Sequence, residues 1–270
     1  MIIPFWKMHG AANDFILVDD RNGSFPVGDS KWIAEVASRR TGVGSEGVLL
    51  IQNSDRADFR MRFFNPDGGE VDMCGNGARC IARLAREIGA APDTMRMETP
   101  AGIVRAEVRG DVVKLTMTEP HDWRMHQAIR LFDHDFTYHF VNTGVPHVVI
   151  EVSDLPGTDV HKLGAAIRYH KVFAPKGANA NFIQLDADGR LHVRTYERGV
   201  EGETLACGTG MVACGLIAGK LGRVNTPVRV IPASGDVLEV SYEDTQGGAT
   251  NVTLLGPAVH VFQGQLTYPE

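Results

Sequence analysis

Cys74 and Cys207 each lead a Cys-Gly-x-Gly turn that runs into an Ala-rich amphipathic segment. The two stretches read Cys74-Gly75-Asn76-Gly77-Ala78-Arg79-Cys80 and Cys207-Gly208-Thr209-Gly210-Met211-Val212-Ala213. A cysteine at the start of a helix meets backbone N–H groups without intrahelical partners and the positive end of the macrodipole. That field favours the thiolate, whose ordinary pKa is about 8.5. The same N–H groups can hold a carboxylate, and the glycines let the backbone approach it closely. Two matched termini around one carboxylate would set an α-carbon between two sulfurs. One thiolate then removes the α-proton while the opposite thiol supplies another to the other face, as inversion of a stereocentre requires.

Other chemistries fit less well. Cys80 and Cys214 fall inside the segments and read as small buried hydrophobes. The spacings Cys-x5-Cys and Cys-x6-Cys are not zinc-knuckle spacings, so no metal is expected. No Lys-Ser/Thr follows the glycine turns and no GxGxxG opens the chain, which argues against phosphate or dinucleotide binding. A bond between Cys74 and Cys207 in a reducing compartment would be an oxidised, inactive form rather than a structural staple.

The elements that position these turns come in two copies. Arg60-Met61-Arg62-Phe63-Phe64-Asn65 alternates as a strand before the first turn, and His192-Val193-Arg194-Thr195-Tyr196-Glu197 does so before the second. Gly10 through Val18 matches Gly144 through Ile150, and Thr99-Pro100-Ala101-Gly102 matches Ile231-Pro232-Ala233-Ser234-Gly235, at an offset near 133 throughout. An internal duplication explains a constant offset; chance matches do not. Each half reads strand, helix, strand, strand, helix, strand, strand, an α/β (α+β) pattern with hairpins at the Gly-Asp turns. Ile81, Leu84, Ala85 and Ile88 form an apolar stripe, with Arg79, Arg83, Arg86 and Glu87 expected on the outer side. The second helix, expected over Met211 to Leu221, has little polar face and should be wrapped on most sides. Gly89 and Gly222 stop the two helices. The halves are expected at 1–118 plus 257–270 and at 119–256, with a last strand from Ala258 to Gln263 completing the first.

The 270 residues suffice for two ordinary domains. A net charge of -6 and pI near 5.9 argue against a nucleic-acid footprint. No apolar run approaches membrane-spanning length, and Met1-Ile2-Ile3-Pro4-Phe5-Trp6-Lys7 lacks the pattern of a secretory leader. A cytoplasmic location with reduced cysteines is the default expectation.

The two cysteine turns, with Tyr196-Glu197-Arg198-Gly199 before the second, resemble the two active-site signatures of the diaminopimelate epimerase family. Lys7-Met8-His9-Gly10 with Asn13-Asp14-Phe15, Phe64-Asn65-Pro66-Asp67-Gly68, and Asn179-Ala180-Asn181-Phe182 also match in family order. The resemblance covers essentially the whole chain. It implies two pseudo-symmetric domains, each a mostly antiparallel sheet wrapped around a central helix. It also implies a cofactor-independent enzyme that interconverts LL- and meso-diaminopimelate, on the way to lysine and cell-wall precursors. Its partner would be that small molecule, with no nucleic acid and no membrane; a homodimer is left open. By the same resemblance Cys74 and Cys207 are base and acid, exchanging roles with direction. Gly75, Asn76, Gly208 and Thr209 offer N–H groups to the reacting carboxylate. Arg198 grips the distal carboxylate with its planar fork. Asn13, Asn65 and Asn179 fix the distal amino-acid end and the chain between, though read alone each is an ordinary turn residue. His147 and Glu197 lie beside the thiols, tuning them or relaying protons.

Two positions depart from the family pattern. Val145 stands where many members carry Asn before Pro-His, so a distal polar contact is lost or comes from Asn142 or Thr143. Glu46 stands where Asp is usual, and Gly47 follows it without a side chain. Among related architectures, proline racemases usually read Cys-Gly-His-Gly at the first turn, where this chain has Asn76. The Glu197-Arg198 pair also suits a substrate with a second charged end. Phenazine-type isomerases are the other rival, and a non-catalytic amino-acid-binding or thiol-sensing protein is the alternative outside enzymes.

Overall fold

A computed structural model describes residues 1–269. The chain divides into two compact units, Met1–Leu115 with the segment from Gly256 onward, and Thr116–Leu255. In the first run β1 (Ile2–Gly10), β2 (Asn13–Asp19), α1 (Ser30–Ala37), β3 (Val48–Gln52), β4 (Phe59–Phe64), β5 (Glu70–Val71), α2 (Gly75–Glu87), β6 (Thr94–Thr99), β7 (Gly102–Arg109) and β8 (Val112–Thr116). In the second run β9 (His121–Leu131), β10 (His134–Asn142), β11 (Pro146–Glu151), α3 (Val160–Arg168), β12 (Asn179–Leu185), β13 (Leu191–Glu197), β14 (Gly202–Thr204), α4 (Gly208–Lys220), β15 (Val228–Ile231), β16 (Leu238–Thr245) and β17 (Gly248–Pro257). β18 (Val259–Thr267) returns to the first unit and pairs antiparallel with β1.

The duplication extends to strand pairing. β1–β2 and β10–β11 are antiparallel, β2–β3 and β11–β12 parallel, β3–β4 and β12–β13 antiparallel. β4 and β13 then each pair antiparallel with a short strand and parallel with the strand after the central helix. β18 on β1 has its counterpart in β9 on β10. In each unit the sheet curls around its central helix. α2 packs on β1, β2, β3, β4 and β7, and α4 on β10, β11, β12, β13, β15 and β16. Burial on nearly every side explains the sparse polarity of α4, from Gly210 through Ala218.

Four details differ from the sequence expectations. The short strands β5 and β14 are not among the expected elements, because two or three rungs against β4 and β13 leave no alternation to detect. α4 begins at Gly208 rather than Met211, since Cys207 already occupies the N-cap position. The last strand runs to Thr267, held by pairing along β1. Arg79 is not on the outer face of α2: it is 0% exposed. Its Nε donates to the Pro257 carbonyl at 3.2 Å and Nη2 to Asn76 Oδ1 at 2.8 Å, contacts that no helical periodicity announces.

No helix among the described residues is long and apolar enough to cross a membrane. In the first unit the Met1 N-terminal nitrogen donates to the Tyr268 carbonyl at 2.8 Å and the Tyr268 N–H donates to the Met1 carbonyl at 2.9 Å.

Candidate active site

The four α-helices among the described residues begin in two different ways. α1 and α3 carry conventional caps, Asp29 accepting from the Trp32 N–H and Asp159 from the Lys162 N–H. α2 and α4 carry Cys74 and Cys207 in the same position, in extended backbone, and neither side chain makes a capping bond. Helical bonding starts at Ala78 N to Cys74 O (2.8 Å) and Met211 N to Cys207 O (2.9 Å). The first-turn N–H groups of Gly75, Asn76, Gly208 and Thr209 therefore take no part in the helix ladder, and a capping contribution of about 1 kcal/mol is forgone at each end.

Around Cys74 the neighbours are amides. The Cys74 thiol donates to Asn13 Oδ1 at 3.7 Å, and Asn76 Nδ2 donates to the same oxygen at 3.1 Å. Arg79, a pure donor, takes Asn76 Oδ1 and so turns the Asn76 NH2 toward Asn13. The half-buried Asn65 closes its turn by backbone, its N–H donating to Gly69 O and its carbonyl accepting from the Gly68 N–H. Asp14, next to Asn13, pairs with Lys7 at 2.5 Å and Arg39 at 2.7 Å, and Arg39 also holds Glu46 at 2.6 Å. Glu46 is thus tied into an ion-pair group beside the Asn13 turn.

Around Cys207 the neighbours are a hydroxyl and an imidazole. Cys207 Sγ lies 3.6 Å from Thr209 Oγ1, which lies 3.0 Å from His147 Nε2. His147 Nδ1 lies 3.2 Å from Asn181 Nδ2, which also donates to the Val148 carbonyl at 2.8 Å. Burial, then the nearby Arg198 charge, pushes the His147 imidazole down to about 3, so it is neutral at pH 7. Thr143, beside the departure at Val145, donates to the Thr209 carbonyl at 3.0 Å, while Asn142 Oδ1 accepts from the Gly144 N–H.

Of the residues expected at the distal end, Asn179 and Arg198 lie in the second unit and Asn13 and Asn65 in the first. Asn179 Oδ1 accepts from the Arg198 N–H at 2.7 Å, and its Nδ2 donates to the Pro146 carbonyl at 3.3 Å. The Asn179 side chain thereby ties the Arg198 turn to the strand carrying His147. Glu197 Oε2 accepts from the Thr204 hydroxyl at 3.0 Å. Arg198 Nη1 donates to the Lys176 carbonyl at 3.2 Å and borders a cleft of about 380 Å³ shared with Arg124, Asn142, Pro146 and Lys176.

Sequence reasoning passed over Asn181 and Arg79 as site residues, although both sit inside the matched motifs. Their buried polarity was the signal, and burial is not visible in a string. Cys80 and Cys214 are fully buried, and desolvation pushes Cys80 up to about 12 and Cys214 well above the ordinary thiol range. Neither can serve as a base near neutrality. The glycines divide as well. A Cβ at Gly75 would meet nothing within 4 Å, whereas at Gly77 it would press on Leu49 Cδ1 at 3.1 Å, and at Gly210 on Asn181 Oδ1 at 2.7 Å. Gly77 and Gly210 thus serve packing beneath the helices, and Gly75 leaves open space.

A family model described as Diaminopimelate epimerase matches residues 5–123 and 139–261. The chain belongs to the diaminopimelate epimerase family. It is 41% identical to the Aquifex aeolicus diaminopimelate epimerase, over 98% of each chain. It is 43% identical to that of Archaeoglobus fulgidus, over 93% of this chain and 95% of the relative. Solved structures share the fold at lower identity. One is a Bacillus anthracis phenazine biosynthesis protein of the PhzF family (TM-score 0.76, 18% identity, 99% of this chain and 100% of that one). Another is a probable proline racemase from Agrobacterium radiobacter (TM-score 0.71, 17% identity, 99% and 93%).

Proposed function

We propose that the chain is an isomerase that interconverts LL- and meso-diaminopimelate, with Cys74 and Cys207 serving as base and acid on opposite faces of one α-carbon. Membership of the family supports the substrate. The two-cysteine step is supported by one observation above the rest: at matched places in a repeated fold, two helices begin with a cysteine whose sulfur is not spent on capping.

In this reading the reacting carboxylate accepts N–H bonds from Gly75, Asn76, Gly208 and Thr209. A thiolate takes the α-proton: the C–H bond breaks, an S–H bond forms, and the electron pair moves into the carboxylate. The helix termini stabilise that charge as it develops, and their dipoles are already oriented. The opposite thiol delivers its proton to the other face, so its S–H breaks as the new C–H forms. Each turnover leaves the two sulfurs with exchanged protonation states. Arg198 fixes the distal carboxylate, with Asn13, Asn65 and Asn179 holding the distal end and the chain between, and Glu197 lies beside the thiols. His147 acts as a neutral hydrogen-bonding group beside Thr209 rather than as a cation.

Proton NMR in D2O with LL-diaminopimelate tests the reaction. Loss of the α-proton signal together with appearance of the meso isomer is expected. Unchanged signals with enzyme that binds the amino acid would instead point to a non-catalytic binding protein.

A further inference from the structure

We propose that the two thiols differ before substrate arrives, Cys207 being the resting thiolate and Cys74 the resting thiol, and that Asn181 and Arg79 are the positioning residues that impose this difference. The proposal deepens the two-cysteine reading above and rests on it for its catalytic meaning.

The repeat makes the comparison direct. Asn13 lies on β2 and His147 on β11, its counterpart in the repeat, and Asn76 and Thr209 each stand two residues after the cysteine. Asn76 bonds Asn13 just as Thr209 bonds His147. The polarity of the two chains is opposite. In the first, the Arg79 guanidinium can only donate, so Asn76 Oδ1 faces it, Asn76 Nδ2 faces Asn13, and the Asn13 oxygen faces the sulfur. An acceptor beside Cys74 favours S–H and disfavours the thiolate.

In the second, Asn181 is 0% exposed and its orientation is fixed from both ends. Its Oδ1 accepts from the Thr195 hydroxyl at 3.0 Å, and its Nδ2 donates to the Val148 carbonyl. The Nδ2 that faces His147 must therefore donate, so His147 Nδ1 is the acceptor and Nε2 carries the proton. Nε2–H donates to Thr209 Oγ1, which leaves the hydroxyl hydrogen free to point at Cys207 Sγ. A donor beside Cys207 favours the thiolate.

Other charged and titratable groups lie in the same surroundings. In the second unit Cys214 is coupled to Cys207, and Arg198 acts on His147; in the first Cys80 is coupled to Cys74 and feels Arg79 and Arg83, and the Lys7–Asp14–Arg39 ion pairs stand beside Asn13. The Arg79 charge opposes the proposed order through space. It sits at the far end of its hydrogen-bond chain, however, whereas the Asn13 oxygen touches the sulfur. An isomer whose α-hydrogen faces Cys207 then meets a ready base, and the opposite isomer does so only after the pair has exchanged protonation.

The test is the pH dependence of iodoacetamide alkylation on reduced, substrate-free enzyme, with each cysteine followed by peptide mass spectrometry. Midpoints rather than rates are compared, so unequal access does not matter. The Cys207 midpoint is expected to lie below that of Cys74 by about one pH unit or more. Thr209→Val should raise the Cys207 midpoint by about the same amount without moving that of Cys74, and Thr209→Ser should restore it. Asn181→Asp, whose carboxylate would call the proton to His147 Nδ1, should act like Thr209→Val. Equal or reversed midpoints in the wild type overturn the proposal, as does a Cys207 midpoint indifferent to Thr209→Val. The Thr209 pair decides the matter if Asn181→Asp fails to fold. A wild type that shows no α-proton exchange would refute the reaction while leaving the order of midpoints readable.

Discussion

His147 Nδ1 accepts from Asn181 Nδ2 at 3.2 Å in a fully buried setting, so the imidazole is held neutral by its surroundings. This has a consequence for stability. The unfolded chain takes up the His147 proton near the ordinary value of 6.5, the folded chain only near 3. Between those values the unfolded state binds more protons, so stability is fully present above 6.5 and falls as pH drops toward 3. His139, also lowered by burial and by His126, works in the same direction. Urea unfolding of His147→Gln between pH 7 and 4.5 should show a shallower acid loss than wild type, by up to about 1.4 kcal/mol per pH unit. An identical slope in the two proteins would show that His147 is not held neutral.

The four cysteines should separate cleanly. Cys74→Ala or Cys207→Ala should lower epimerisation by about 10²–10⁴-fold or more, the usual range for a lost acid or base. Cys80→Ala and Cys214→Ala remove thiols that burial already renders inert, so turnover should stay near wild type while thermal stability falls modestly. Full activity in Cys74→Ala would refute the two-base step.

Arg198 should set preference for a substrate with a second carboxylate. Arg198→Ala is expected to cut kcat/KM by roughly a hundredfold or more, since a desolvated charge loses its partner. Arg198→Lys should recover part of this, a point charge being unable to copy the fork. Wild type should turn over lysine and proline poorly. Comparable rates on all three amino acids would refute both the clamp and the substrate.

Gly75 and Gly210 should respond differently to the same methyl group. Gly75→Ala meets open space, so the protein should fold normally but bind substrate less well, with KM raised. Gly210→Ala pushes on Asn181 Oδ1 and lies 3.4 Å from Cys207 Sγ, so it should lower both melting temperature and kcat. Steady-state kinetics and thermal melts on the two variants make the comparison. Equal effects on melting would contradict the packing described for Gly210.

Much of this was legible beforehand because duplication repeats its evidence at a fixed offset. The two central helices, their stops at Gly89 and Gly222, and the strand alternation before each cysteine all appear in the sequence pattern. Asn179, Arg198, Asn13 and Asn76 stood in recognisable motifs. Arg79 was misplaced because helical periodicity assigns arginine to solvent unless a buried acceptor is known, and Pro257 O is 178 residues away in sequence. Asn181 was overlooked for a related reason. Its importance lies in which way its amide faces, and that is decided by Thr195 and the Val148 carbonyl on neighbouring strands.

The pairing of β18 with β1 bears on how the protein is made. The first unit is interrupted by the second and closes only with its last strand. As synthesis proceeds from the N-terminus, the second unit, being continuous, can fold as soon as it clears the ribosome. The first must wait for β18, with Phe5 and Ile3 lacking its cover meanwhile. Termination before β18 would therefore damage the half that was synthesised first.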